Sequence, residues 1–124
     1  MRLQTIVMVT LDTIRELALA LPEVTEGSSY GTTGFRLKDK FLGRLRPEGD
    51  VFVLRMNIDQ RDILATSQPE KFYFTDHYKD YPAVLIRMEA IEREEMQDLL
   101  AEAWFFVAPK RVAEKFGPTI GRQG

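Results

Sequence analysis

The chain has 124 residues, 44% of them apolar and 29% charged, with a formal net charge of −2; that supports one domain with a single core burying about two thirds of the unfolded surface. A slightly acidic balance excludes a protein that coats nucleic acid non-specifically, so any polyanion contact has to come from a local patch. The absence of cysteine excludes disulfides and thiolate metal sites, and no apolar run reaches the roughly 20 residues of a membrane helix, so a cytoplasmic domain with no membrane partner is expected.

Residues 1–10 read as an N-terminal extension without the h-region length or cleavage site of a secretory signal. Met8 is expected as an alternative start, because the helical pattern begins just after it. Leu11, Ile14, Leu17, Ala18 and Leu21 recur at helical spacing, with Thr10 or Asp12 as the cap and Pro22 as the stop. Gly27-Ser28-Ser29 and Gly31-Thr32-Thr33-Gly34 are turn-rich and frame short strands about Tyr30 and Phe35. Asp39-Lys40 turns the chain into a strand over 41–46, and Pro47-Glu48-Gly49-Asp50 forms a second turn. Val51-Phe52-Val53-Leu54 is apolar without alternation, which predicts a central strand covered on both faces.

Asn57-Ile58-Asp59-Gln60 resembles a capping box opening a short helix through Ile63 and Leu64. Phe72-Tyr73-Phe74 and Ala83-Val84-Leu85-Ile86 read as two further strands joined by a polar loop over 75–82. Met96, Leu99, Leu100, Ala103 and Val107 stripe one face of a long helix, with Trp104, Phe105 and Phe106 beside the stripe as core. Pro109 starts a last short helix carrying Val112 and Phe116. No repeat or linker interrupts the chain. Strands enclosed by terminal helices predict one antiparallel α+β domain over 11–116, followed by a flexible tail at 117–124.

The chemistry-bearing pattern is the alternation between Phe35 and Arg55. Six cations there, Arg36, Lys38, Lys40, Arg44, Arg46 and Arg55, face three acids, Asp39, Glu48 and Asp50, for a net of +3. A period of two predicts a strand pair with aliphatic groups on one face and the cations together on the other. Residues 89–102 carry six acids (Glu89, Glu92, Glu94, Glu95, Asp98 and Glu102) against Arg93, a net of −5. Both stretches also read as solvated faces.

Other motifs point less far. The glycines at 27, 31 and 34 precede no helix and no Lys-Ser/Thr pair, so they read as turn chemistry and not as a phosphate cradle. His77 is the single histidine, which leaves no metal cluster and no Cys/His catalysis. Ser28 and Ser29 sit in no nucleophile elbow. The acid pairs Asp12/Glu16 and Asp59/Asp62 look solvated, without the burial that turns carboxylates into acid/base catalysts. No cofactor and no catalytic residue are expected. Tyr30, Tyr73, Tyr78 and Tyr81 read as sheet packing or as stacking surfaces for bases.

The ordered motifs resemble the MmcQ/YjbR-like family, from about Leu11 to Phe116. They are Leu19-Ala20-Leu21-Pro22-Glu23-Val24, Tyr30-Gly31-Thr32, Lys40-Phe41, the long stretch Asp76-His77-Tyr78-Lys79-Asp80-Tyr81-Pro82-Ala83-Val84-Leu85, Ala103-Trp104 and Ala108-Pro109-Lys110-Arg111. The resemblance implies an antiparallel sheet with winglike hairpins, packed by an N-terminal helix, a short middle helix and C-terminal helices. It also implies the family's label of DNA-binding. The commoner family form has a tryptophan near the start of the last strand, where this chain has Tyr81-Pro82.

The leading expectation is a monomeric, non-enzymatic domain that neutralises nucleic-acid phosphates through Arg36, Lys38, Lys40, Arg44, Arg46 and Arg55. Tyr78, Tyr81, Lys110 and Arg111 are secondary candidates if the loop and last helix border the same surface. Six contacts on duplex DNA would give a slope of about −5 in log affinity against log salt. The alternative is a protein- or peptide-interaction module with a basic sheet face and an acidic helix. A third reading places a small-ligand pocket at His77, Tyr78 and Tyr81.

Overall fold

A computed structural model describes residues 9–29 and 31–120. Met8, Tyr30 and residues 121–124 lie outside the described residues. Thr10 opens the first helix, α1 (Leu11–Leu19), with a reciprocal box: its hydroxyl accepts from the Thr13 backbone at 3.3 Å, and the Thr13 hydroxyl accepts from the Thr10 backbone at 3.3 Å. The helix buries Ile14, Leu17 and Ala18 and ends before Pro22. The Pro22 carbonyl accepts from the Trp104 indole N–H at 2.9 Å, so a fully buried ring tethers the exit of α1.

Three hairpin-linked strands follow, β1 (Val24–Ser29), β2 (Thr32–Leu37) and β3 (Lys40–Leu45), and then β4 (Val51–Arg55). Gly27-Ser28-Ser29, expected as a turn, is the end of β1, paired with Thr32, Thr33 and Gly34. Gly31, just before β2, supplies φ of 81°. Helix α2 (Ile58–Ser67) is capped by the Asn57 side chain, which accepts from the Asp59 and Gln60 backbones. Short β5 (Phe72–Tyr73), a 3₁₀ turn at Asp76–Tyr78 and β6 (Ala83–Arg87) lead to α3 (Arg93–Val107) and α4 (Lys110–Phe116). Residues 117–120, expected in a flexible tail, form a 3₁₀ turn, Gly117–Ile120.

All six strands form one antiparallel sheet in the order β1-β2-β3-β4-β6-β5. Its helical side carries the main core: Phe35, Leu37, Leu42, Phe52, Leu54, Val84 and Ile86 pack with Ile14 of α1 and with Met96, Leu100 and Trp104 of α3. The opposite side holds a smaller cluster of Val51, Val53, Ala83 and Leu85, against which Tyr73 and Tyr78 pack. Burial of β4 on both faces follows directly, as its unbroken apolar run requires.

The register slips between Phe35 and Arg36, so that Arg36 pairs with Phe41 while Phe35 pairs with Gly43. Leu42 is the extra residue, a β-bulge that puts Leu42 and Gly43 in succession toward the helical side. Gly43 is required there. A Cβ at that position would stand 2.7 Å from the Phe52 ring and 2.7 Å from the Val53 carbonyl oxygen. We expect Gly43→Ala to cost about 1–3 kcal/mol through overpacking against backbone, read as a lowered urea midpoint. An unchanged midpoint would contradict this packing.

Candidate nucleic-acid interface

The bulge decides where the cations go. Strict alternation would put Lys40, Arg44 and Arg46 on one face, but the inserted Leu42 reverses the parity within β3. Arg36 therefore shares the open face with Phe41, and Arg44 stands there opposite Gly34 and Val53. Lys40 pairs with Leu37, a core residue, and so lies at the rim on the helical side. The expected single row of six cations is broken, and for Lys40 the cause is one extra residue.

The other candidates are engaged elsewhere. Lys38 occupies the hairpin turn with φ of 56° and pairs with Glu23 at 3.2 Å. Arg46 pairs with Glu48 at 3.3 Å. Arg55 donates to the Pro82 carbonyl at 3.1 Å, and its guanidinium lies 5.2 Å from the Tyr81 ring and 5.3 Å from the Phe106 ring. Lys110 and Arg111 open α4, which buries Val112 in the main core on the helical side. They do not border the open face.

What comes together is smaller and more structured. Arg36, Phe41, Arg44 and Val53 line a cavity of about 620 Å³, and His77, Tyr78 and Tyr81 from the 75–82 loop complete it. That volume lies in the range of roughly 300–1,000 Å³ typical of small-molecule sites. The Arg44 guanidinium donates to the Tyr78 hydroxyl at 3.2 Å and to the Leu45 carbonyl at 3.4 Å. Arg36 donates to the Asp39 carbonyl at 3.3 Å and has no ion-pair partner among the described residues. His77 meets Tyr78 edge-on at 5.0 Å, and the Tyr78 and Tyr81 rings lie 6.4 Å apart. The basic hairpin and the aromatic loop, whose Tyr78 and Tyr81 are secondary candidates on the condition that the loop borders the same surface, line one recess.

Arg61, which no motif flagged, holds the loop in place. Its side chain is 2% exposed, and its guanidinium donates to the carbonyls of Tyr78 at 2.8 Å, Lys79 at 3.0 Å and Tyr81 at 3.2 Å. It also reaches Asp62 at 3.1 Å and covers the Phe74 ring at 3.8 Å. The available signal was spacing: position 61 lies three residues from both Ile58 and Leu64, on the inward stripe of α2. Arg87 was missed as well. It stands opposite Val51 at the end of β6, with its guanidinium 4.1 Å from the Tyr73 ring.

At the far edge of the sheet, Glu26 hydrogen-bonds the Arg15 guanidinium and raises its pKa, bracing β1 against α1. Among the described residues, no group of three or more histidine or carboxylate side chains is placed to hold a metal ion, and no helix is long and apolar enough to cross a membrane.

A family model, YjbR, matches residues 19–105. The chain belongs to the MmcQ/YjbR family. Its fold is also that of protein DR2400 from Deinococcus radiodurans, a DUF419-domain protein whose crystal structure superposes with a TM-score of 0.74. That likeness covers 93% of this chain and 92% of the other, at 20% identity. Uncharacterised proteins from Mycobacterium bovis and Mycobacterium tuberculosis are each 34% identical over 71 residues, 56% of this chain. The chain spans about half the length of these relatives, 55%, and their names assign no activity.

Arg61→Met removes a donor from three carbonyls and leaves the loop unclamped. We expect a loss of about 2–4 kcal/mol in urea unfolding. A midpoint equal to that of the parent chain would show that the loop is held by something else.

Proposed function

We propose that the chain is a non-enzymatic nucleic-acid-binding domain that takes phosphates on Arg36 and Arg44 of the open sheet face. One observation carries the reading: two guanidiniums from neighbouring strands flank a recess lined by Phe41, His77, Tyr78 and Tyr81. Guanidinium is suited to phosphate because its donors form a planar fork, and aromatic rings beside it supply stacking surface. Neutralising phosphates positions the protein without reading sequence.

The geometry changes the expected magnitude. With Lys38 and Arg46 beside carboxylates, Lys40 at the rim of the helical side and Arg55 held by the Pro82 carbonyl and two rings, the contacts reduce from six to two. On duplex DNA the salt slope then falls from about −5 to about −2. The protein-interaction alternative has less support, since of the large exposed hydrophobics Leu19, Ile63 and Phe106 come from three different helices and Tyr81 lines the recess itself.

Fluorescence anisotropy at several salt concentrations tests this. Reversing Arg36 and Arg44 to glutamate should abolish binding, whereas reversing Lys110 and Arg111 should leave it unchanged. No binding at low salt, or equal losses from both pairs, would overturn the reading.

A further inference from the structure

We infer that the recess beside Arg36 and Arg44 takes a single unpaired nucleotide, its base against the tyrosine rings and its phosphate on the guanidiniums. The domain would thus prefer single-stranded nucleic acid to duplex. This inference rests on the nucleic-acid reading above.

Three features of the site carry it. First, the surface is concave, with about 620 Å³ between sheet and loop. An intact duplex offers phosphates on a convex backbone and keeps its base faces stacked inside, so an aromatic-lined recess gains nothing from it. An unstacked base presents a flat π face, which aromatic side chains accept irrespective of sequence. Second, the apolar and cationic parts are divided as a nucleotide is. Phe41 and Val53 lie on the sheet, Tyr78 and Tyr81 on the loop, and Arg36 and Arg44 on adjacent strands. A free phosphate would need only the last pair, and a neutral apolar ligand only the rings. Third, the two parts are tied together. The Tyr78 hydroxyl accepts from Arg44 at 3.2 Å, so the stacking ring and the phosphate-binding group hold a fixed relation. Tyr81 is 38% exposed, so its ring, with the Arg55 guanidinium 5.2 Å from its centroid, keeps surface for an incoming base.

The same chemistry belongs to an unpaired nucleotide within a strand and to a free nucleoside monophosphate. The strand is favoured because Arg87, exposed at the end of β6, continues the cationic open face beyond the recess, where a second phosphate of the same chain would pass.

The test uses the full chain, with labelled oligo(dT), a duplex of equal length, and dTMP as competitor at one low salt concentration. We expect oligo(dT) to bind roughly tenfold or more tightly than duplex and dTMP in excess to displace it. Tyr81→Ala should weaken oligo(dT) by roughly 5- to 150-fold, the range for losing one stacking partner, with duplex binding unchanged. Tyr81→Phe should retain parental affinity. Duplex binding as tight as oligo(dT), with both indifferent to Tyr81→Ala, would overturn the inference and leave phosphate contact standing. Binding of dTMP without oligo(dT) would overturn the strand as the source. Failure of all three probes would overturn this inference and the function it rests on together.

Discussion

A buried guanidinium holds this molecule's candidate site together, although it touches neither the cavity nor solvent. Arg61 reaches from α2 to the carbonyls of Tyr78, Lys79 and Tyr81, with its charge offset by those dipoles, by Asp62 and by the Phe74 ring face. A planar fork of five donors can serve several acceptors spread along one loop, which a lysine ammonium cannot do with the same geometry. The dependence then runs outward. Arg61 fixes the loop backbone, the loop presents the Tyr78 hydroxyl, and that hydroxyl meets Arg44 on the sheet. Removing a residue distant from the surface would therefore reshape the surface.

The second constraint is the bulge at Leu42, made possible because Gly43 leaves room for the Phe52 ring. By reversing parity it brings Phe41 and Arg44 to one face and sends Lys40 to the other. The outcome is a compact pairing of arginine and aromatic side chains in place of an extended basic stripe. Such a site trades reach for definition: two guanidiniums attract a polyanion less strongly than six cations, but a shaped recess can discriminate between ligand forms.

The fold was legible from the sequence where apolar period and local chemistry agreed. The stripe from Met96 to Val107 gave α3, the Thr10 cap gave α1, and the unbroken Val51–Leu54 run placed β4 at the sheet's interior. The antiparallel α+β architecture followed from the order of those elements and holds throughout. Gly27-Ser28-Ser29 misled because an exposed edge strand has no apolar face to announce it. The site was legible only in part. His77, Tyr78 and Tyr81 stood out as a loop cluster, and Arg36 and Arg44 as part of a basic ribbon, yet nothing local reveals that residues 34 positions apart touch. A bulge inserts one residue without any compositional mark, and the burial of Arg61 is signalled only by its spacing from Ile58 and Leu64 on α2. Ion pairs hid the rest, since Glu23 and Glu48 neutralise cations that the alternation counted as available.

Hydrogen exchange of the native chain tests the central claim most directly. The amides of Tyr78, Lys79 and Tyr81 bond to the carbonyls of Thr75, Asp76 and Tyr78 within the loop, and only a clamped loop keeps such short-range bonds closed. The account predicts that these amides are protected in the parent chain and lose that protection in Arg61→Lys, while the amides of β4 and β6 keep theirs. Exchange at unstructured-peptide rates in the parent chain, or equal protection in both, would contradict it.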